Sequence, residues 1–233
     1  MFTIFKREVR AYFRSQIAYI LIGLFILVTS LLFMVLNLNS LSTEYNPDLY
    51  YMGFILTVIV PILTMKTIAE DRKNGTEVLL ISSPVSLTSI VVGKYLATMV
   101  VFTVMTGISF VYPVILSMFG KPVISEIIGG YIGFFLLGAA FIAIGIFASS
   151  LTENQIVAAI ISFVSLIIML FMQSIYYSFG GITSKILVWF SLFARYEDYS
   201  RGILDFSAVV HSLCFIAIFL FLSVRVMEKR RWS

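Results

Sequence analysis

Charge is scarce in this chain. Of its 233 residues, 12% are Asp, Glu, Lys or Arg, against about a quarter in an ordinary soluble domain. With 60% hydrophobic residues and a mean hydropathy of +1.03, a water-soluble globule of this size is excluded. So is a disordered chain, which needs low hydrophobicity and high charge. Cysteine is nearly absent: Cys214 alone allows neither a disulfide framework nor a cysteine metal cluster. His211 is the single histidine, which argues against a histidine-rich metal site and leaves H-E-x-x-H and Ser-His hydrolase chemistry without parts. Gly93-Lys94 and Gly120-Lys121 lack the second glycine and the following hydroxyl of a phosphate loop. The chain is therefore not expected to hold ATP in that manner. Asp198 and Asp205 fall in a loop, so no carboxylate pair sits at membrane depth. The chain by itself is not expected to be an enzyme.

Long apolar runs are abundant. A helix needs about 20 mostly apolar residues to cross a hydrocarbon core of roughly 30 Å. Six runs qualify: 17–36, 50–67, 95–119, 127–149, 155–175 and 206–226. Pro61 lies inside the second and Pro113 is expected to kink the third. A β-barrel would show short alternating segments instead. The reading is an all-α membrane protein forming one membrane domain over 1–233. The apolar stretch of the first run exceeds a signal-peptide core and no A-x-A pattern follows it, so it is read as a span.

Orientation follows from lysine and arginine in the short loops. With the N-terminus inside, the inner side carries twelve of the 16 basic residues; only Lys121, Lys185, Arg195 and Arg201 fall outside. Both termini are expected in the cytoplasm. The net charge of +4 is explained by this topology and by anionic lipid, with no nucleic acid.

Residues 2–14 stand apart from the first span. Phe2, Phe5, Val9, Tyr12 and Phe13 recur at helical spacing beside Lys6, Arg10 and Arg14. This predicts a basic amphipathic helix in the membrane surface, serving as an anchor or also touching a cytoplasmic partner. The inner loop over 70–94 is the most informative segment. Asn74-Gly75 signals a turn, Val78 to Ile81 is an apolar run too short to span, and Ser83-Pro84 ends it. Ser86 is placed to cap the following helix. A plain connection could be four residues long. This loop instead presents Val78, Leu79 and Leu80 to a partner or to the lipid surface.

Four stretches carry a resemblance. They are FKREVRAYFRSQIAYI, PILTMKTIAEDRKNGTEVLLISSPVSLTSIVVGKYLA, GGYIGFFLLGAAFIAIGIFASSLTENQIVAAIISF and the basic tail RVMEKRRWS. Together they resemble permease subunits of ABC-2 type transporters of the gliding-motility and nitrous-oxide-reductase-maturation type. The Glu-x-Arg-x-x-Gly-Thr element, Ser-Pro-Val-Ser and Ser-Leu-Thr-Glu-Asn-Gln are the specific parts. The resemblance implies six spans with an N-terminal elbow helix over 1–14, and a coupling helix in 70–86. It also implies short extracellular helices in 176–205. Glu70, Arg72, Gly75, Thr76, Glu77, Leu79, Leu80 and Pro84 would contact a separate ATPase subunit, which would bind ATP and Mg; this chain would carry no cofactor. A second permease subunit would complete a dimer, and an auxiliary subunit with an extracytoplasmic domain fits the same family. The implied role is an exporter in a bacterial cytoplasmic membrane. The alternative is a non-transporting scaffold that transmits the ATPase cycle to an envelope partner.

Several polar groups remain. His211 falls near the outer end of the sixth span, suited to a helix or headgroup hydrogen bond. Glu153, Asn154 and Gln155 open the fifth span, where Glu153 suits the helix dipole and a gating contact is the alternative. Gly129-x-x-x-Gly133 and Gly145-x-x-x-Ser149 put small residues on shared faces of the fourth span for close packing. Tyr176, Tyr177, Trp189 and Tyr196 suit an interfacial position, and residues 186–190 are apolar enough to dip into the bilayer.

Overall fold

A computed structural model of the chain describes residues 1–77, 85–176, 191–200 and 206–231. Expectations for Val78, Leu79, Leu80, Pro84, Tyr177, residues 186–190 and Asp205 lie outside them. The described chain is all-helical, and six of its helices are long and apolar enough to cross a membrane.

Helix α1 (Phe2–Arg14) is amphipathic and ends where Ser15 turns extended. The Ser15 hydroxyl accepts from Ile17 N and opens α2 (Gln16–Phe33), which runs on as a π-helical turn over Met34–Leu38. Helix α3 (Asn46–Thr64) continues past Pro61, and a short α4 (Ala69–Lys73) follows it. Ser86 caps α5 (Leu87–Ser109) through Ser89 N. The third span is interrupted in the turn that precedes Pro113. It breaks at Phe110, and α6 (Val111–Phe119) carries it on. The break comes before the proline because proline removes a donor and crowds the turn preceding it. Then come α7 (Ile124–Leu151), α8 (Gln155–Tyr176), α9 (Leu192–Ser200) and α10 (Phe206–Arg231).

The fourth span, α7, is the axis of the fold and packs against α3, α8, α9 and α10. Of its apolar stretch 78% is buried inside the protein, against 22% for the first span and 17% for the fifth. The outer faces of those two spans are thus left for lipid or another subunit. Small residues let α7 sit centrally. A Cβ on Gly133 would lie 2.4 Å from Tyr199 Cβ, and one on Gly130 would lie 2.7 Å from Leu49. Gly129 is buried on the same helix.

Tyr196 is turned into the protein. It is buried in the core, where its hydroxyl donates to the Leu49 carbonyl at 2.6 Å and its ring stacks on Tyr50. A tyrosine suits such a place only if its O–H finds a partner. The carbonyl of Leu49 supplies it.

Candidate functional site at the basic end

The lysines and arginines of α1, α4, α5 and α10, with Lys66 between α3 and α4, gather at the end of the bundle that holds α1 and the end of α10. Here α4 leads into the 70–86 loop, and it is fixed from three sides.

Its first attachment is to α7. Ile68 and Ala69, at the start of α4, have no side-chain cap of their own. The Ser149 hydroxyl accepts from both of their N–H groups, at 3.1 and 3.0 Å, and donates to the Met65 carbonyl at 3.1 Å. Ser149 is fully buried. A span distant in sequence therefore caps the helix that opens the loop. Ser149→Ala is expected to cost about 1–3 kcal/mol, the usual penalty for orphaned buried donors, seen as a lower thermal unfolding midpoint in mild detergent.

The second attachment is a four-charge cluster. Lys94 of α5 is 3% exposed at its side chain. It donates to Glu8 Oε1 of α1 at 3.2 Å and to the Thr67 carbonyl at 2.6 Å. Its ammonium also lies 2.5 Å from Asp71 Oδ2 of α4, an ion pair without hydrogen-bond alignment. Arg7 closes the cluster against Glu8 at 2.5 Å and Asp71 at 3.8 Å. Two cations and two carboxylates thus balance across three helices. Beside them the Tyr12 hydroxyl donates to the Leu63 carbonyl, 3.1 Å away, and lies 3.1 Å from Thr98 Oγ1. Burial pushes its phenol up to about 12, against the opposing pull of the Thr98 hydrogen bond.

The third attachment runs through Arg72. Its guanidinium lies 3.9 Å from both Glu77 Oε2 and Glu153 Oε2, and Nη1 reaches the Leu151 carbonyl at 3.5 Å. Arg230 of α10 donates to the same carbonyl at 3.0 Å. Glu77 is buried. Thr76 donates to Asp71, and Gly75 holds a φ of +69°, which favours glycine at that turn.

Of the residues singled out in sequence, Arg72, Glu77 and Glu153 are brought together, and Thr76 and Gly75 shape the turn. Glu70 is half-buried one residue before Asp71. Asn154, not Glu153, caps α8, with Oδ1 accepting from Ile156 N at 2.9 Å. Glu153, one residue before the cap, lies instead beside Arg72. Gln155 begins α8 and is half-buried. Sequence reading missed Glu8, Asp71, Lys94 and Ser149 as a set. A lysine inside an otherwise apolar helical run was the one signal for Lys94.

Six membrane-length helices thus surround a short helix that charge and a serine cap tie to several of them. Residues 45–194 match the family described as ABC-2 family transporter protein. The chain belongs to that family, and it is the membrane subunit of an ABC transporter. No curated protein matches the chain.

Proposed function

We propose that this chain is the permease subunit of an ATP-driven exporter in a bacterial cytoplasmic membrane, with the basic end and both termini inside. A separate ATPase subunit binds ATP and Mg and receives the loop over 70–86 in a groove. Two permease chains, identical or related, flank the path, and an auxiliary subunit with an extracytoplasmic domain completes the gliding-motility and nitrous-oxide-maturation type of assembly.

One observation carries this reading. The single short helix α4 is tied to α7 by Ser149, to α5 and α1 by Lys94 and Glu8, and to the α7–α8 turn by Arg72. A displacement of the loop by the closing ATPase subunits is therefore carried to several spans at once. Coupling needs such an element biased by both sites.

The test is purification from native membranes with mass spectrometry of what accompanies the chain. An ATPase in stoichiometric amount is expected, lost in Leu80→Asp and weakened in Glu77→Lys while both variants still insert. A chain that purifies alone even after crosslinking would overturn the reading.

A further inference from the structure

Beside the four-charge cluster lies an open cleft of about 380 Å³. Ile17 lines it from the start of α2, and Ile62 and Leu63 line it from the last turn of α3. The charged lining comes from α1, from α5 and from the chain beyond Thr64. Spans α2 and α3 begin and end here, which sets the cleft at the level of lipid headgroups. It is apolar towards the hydrocarbon and charged towards water.

The charges around it balance, three of each sign: Arg7, Lys66 and Lys94 against Glu8, Glu70 and Asp71. Four of these satisfy one another in the cluster described above. Lys66 and Glu70 remain. Both are half-buried, and among the described residues neither side chain makes an ion pair or a hydrogen bond. They do not pair with each other either, although the Glu70 N–H donates to the Lys66 carbonyl at 3.3 Å and so sets them four residues apart on one helical turn. A lysine before a glutamate is the weaker order for such a pair. Ser15 lines the same cleft; its hydroxyl oxygen accepts from Ile17 N at 3.3 Å, and its own O–H remains to donate. The cleft therefore offers one cation, one hydroxyl donor and one carboxylate beside an apolar wall.

We propose that this cleft binds one phospholipid whose headgroup carries both a phosphate and a primary ammonium, as phosphatidylethanolamine does. Lys66 and the Ser15 hydroxyl meet the phosphate, Glu70 meets the ammonium, and the acyl chains leave past Ile17, Ile62 and Leu63. The chemistry selects this headgroup over its neighbours. An anionic headgroup would leave Glu70 unmet beside a cluster that is already neutral. Choline brings a positive charge but no N–H, and a carboxylate needs donors because it can only accept. A soluble zwitterion would leave the apolar wall in water. So placed, the lipid touches α2, α3 and α4 at once and adds to the attachments of α4. Assigning it to the inner leaflet rests on the proposed orientation; the site itself does not.

The experiment uses the purified full-length chain, stripped of lipid in mild detergent, and reads the first lipid bound by native mass spectrometry. Phosphatidylethanolamine is expected to bind about tenfold more tightly than phosphatidylcholine or phosphatidylglycerol, the size of one hydrogen bond to a charged group. Glu70→Gln is expected to remove the preference over phosphatidylcholine, and Lys66→Gln to weaken all three lipids. Neither substitution strands a partner, so the lipid-free variants are expected to unfold at the wild-type midpoint. The wild-type ranking is read without either variant. Equal binding of the three lipids, or a preference that survives Glu70→Gln, would overturn the site. Tightest binding of phosphatidylglycerol would overturn it in favour of plain attraction to the basic face. Phosphoethanolamine without acyl chains, if it competed as well as the lipid, would overturn it in favour of a soluble zwitterion. No readout involves an ATPase, so failure here leaves the permease reading standing.

Discussion

Lys94→Met is expected to destabilise the protein by about 3–5 kcal/mol, the range for removing one partner from a buried ion pair. The reason is what remains behind. Glu8 and Asp71, at 13% and 20% side-chain exposure, would keep their charges with only Arg7 nearby, and Arg7 is half-exposed. The Thr67 carbonyl would lose its donor too. Lys94→Arg is not a rescue, because a planar fork does not fit a 3% exposed site built around a compact ammonium. Removing one of the stranded charges should help instead. Asp71→Asn in the Lys94→Met background is expected to recover part of the loss, so the two substitutions are not additive. Unfolding midpoints of the single and double variants in mild detergent check this. Equal midpoints for wild type and Lys94→Met would mean that water, rather than protein, solvates the cluster.

Gly145→Ala is expected to cost about 3 kcal/mol, the upper part of the usual overpacking range. The new Cβ would lie 2.2 Å from Thr64 Oγ1 and 2.8 Å from Thr64 Cβ. Thr64 cannot swing away. It is fully buried and its hydroxyl donates to the Val60 carbonyl at 2.9 Å. Relief must come from parting α3 and α7, and Ser149 lies one turn further along that seam. The caps on Ile68 and Ala69 would loosen with it. Thr64→Gly in the same chain is expected to restore much of the midpoint. A double variant no better than the sum of the two singles would show that the contact is not the seat of the effect.

The spans were legible because apolar length is a local property of sequence. All six predicted runs fall on helices, and the ends differ by up to eight residues, as where α5 begins at Leu87 and where polar residues such as Asn46 and Asp48 join α3. Ser86 was readable as a cap because a cap is also local. The basic cluster was not readable in the same way. Lys94 looked like one more inner positive charge; its partners come from helices far away in sequence, and no spacing rule connects residues 8, 71 and 94. The burial of Tyr196 was not readable for a related reason. Tyrosines are common at membrane interfaces, and only the position of Leu49 turns this one inward. Glu153 and Asn154 show the limit at single-residue scale: the composition of the turn announced a capped helix, but not which side chain caps it and which reaches Arg72.

The link between Glu8 and Lys94 also orders events during synthesis. The two residues are 86 positions apart, so α1 is made long before its partner. A nascent chain whose first two spans have already entered the bilayer still has Glu8 and Asp71 awaiting their cation. Until α5 emerges, α1 has the Tyr12 bond to Leu63 and the Arg7–Asp71 pair to hold it, but not the buried ammonium between Glu8 and Asp71. Arrival of the third span then recruits the N-terminal helix and the start of the inner loop together. The basic end is in this sense assembled late and in one step, by a residue that belongs to neither of the segments it joins.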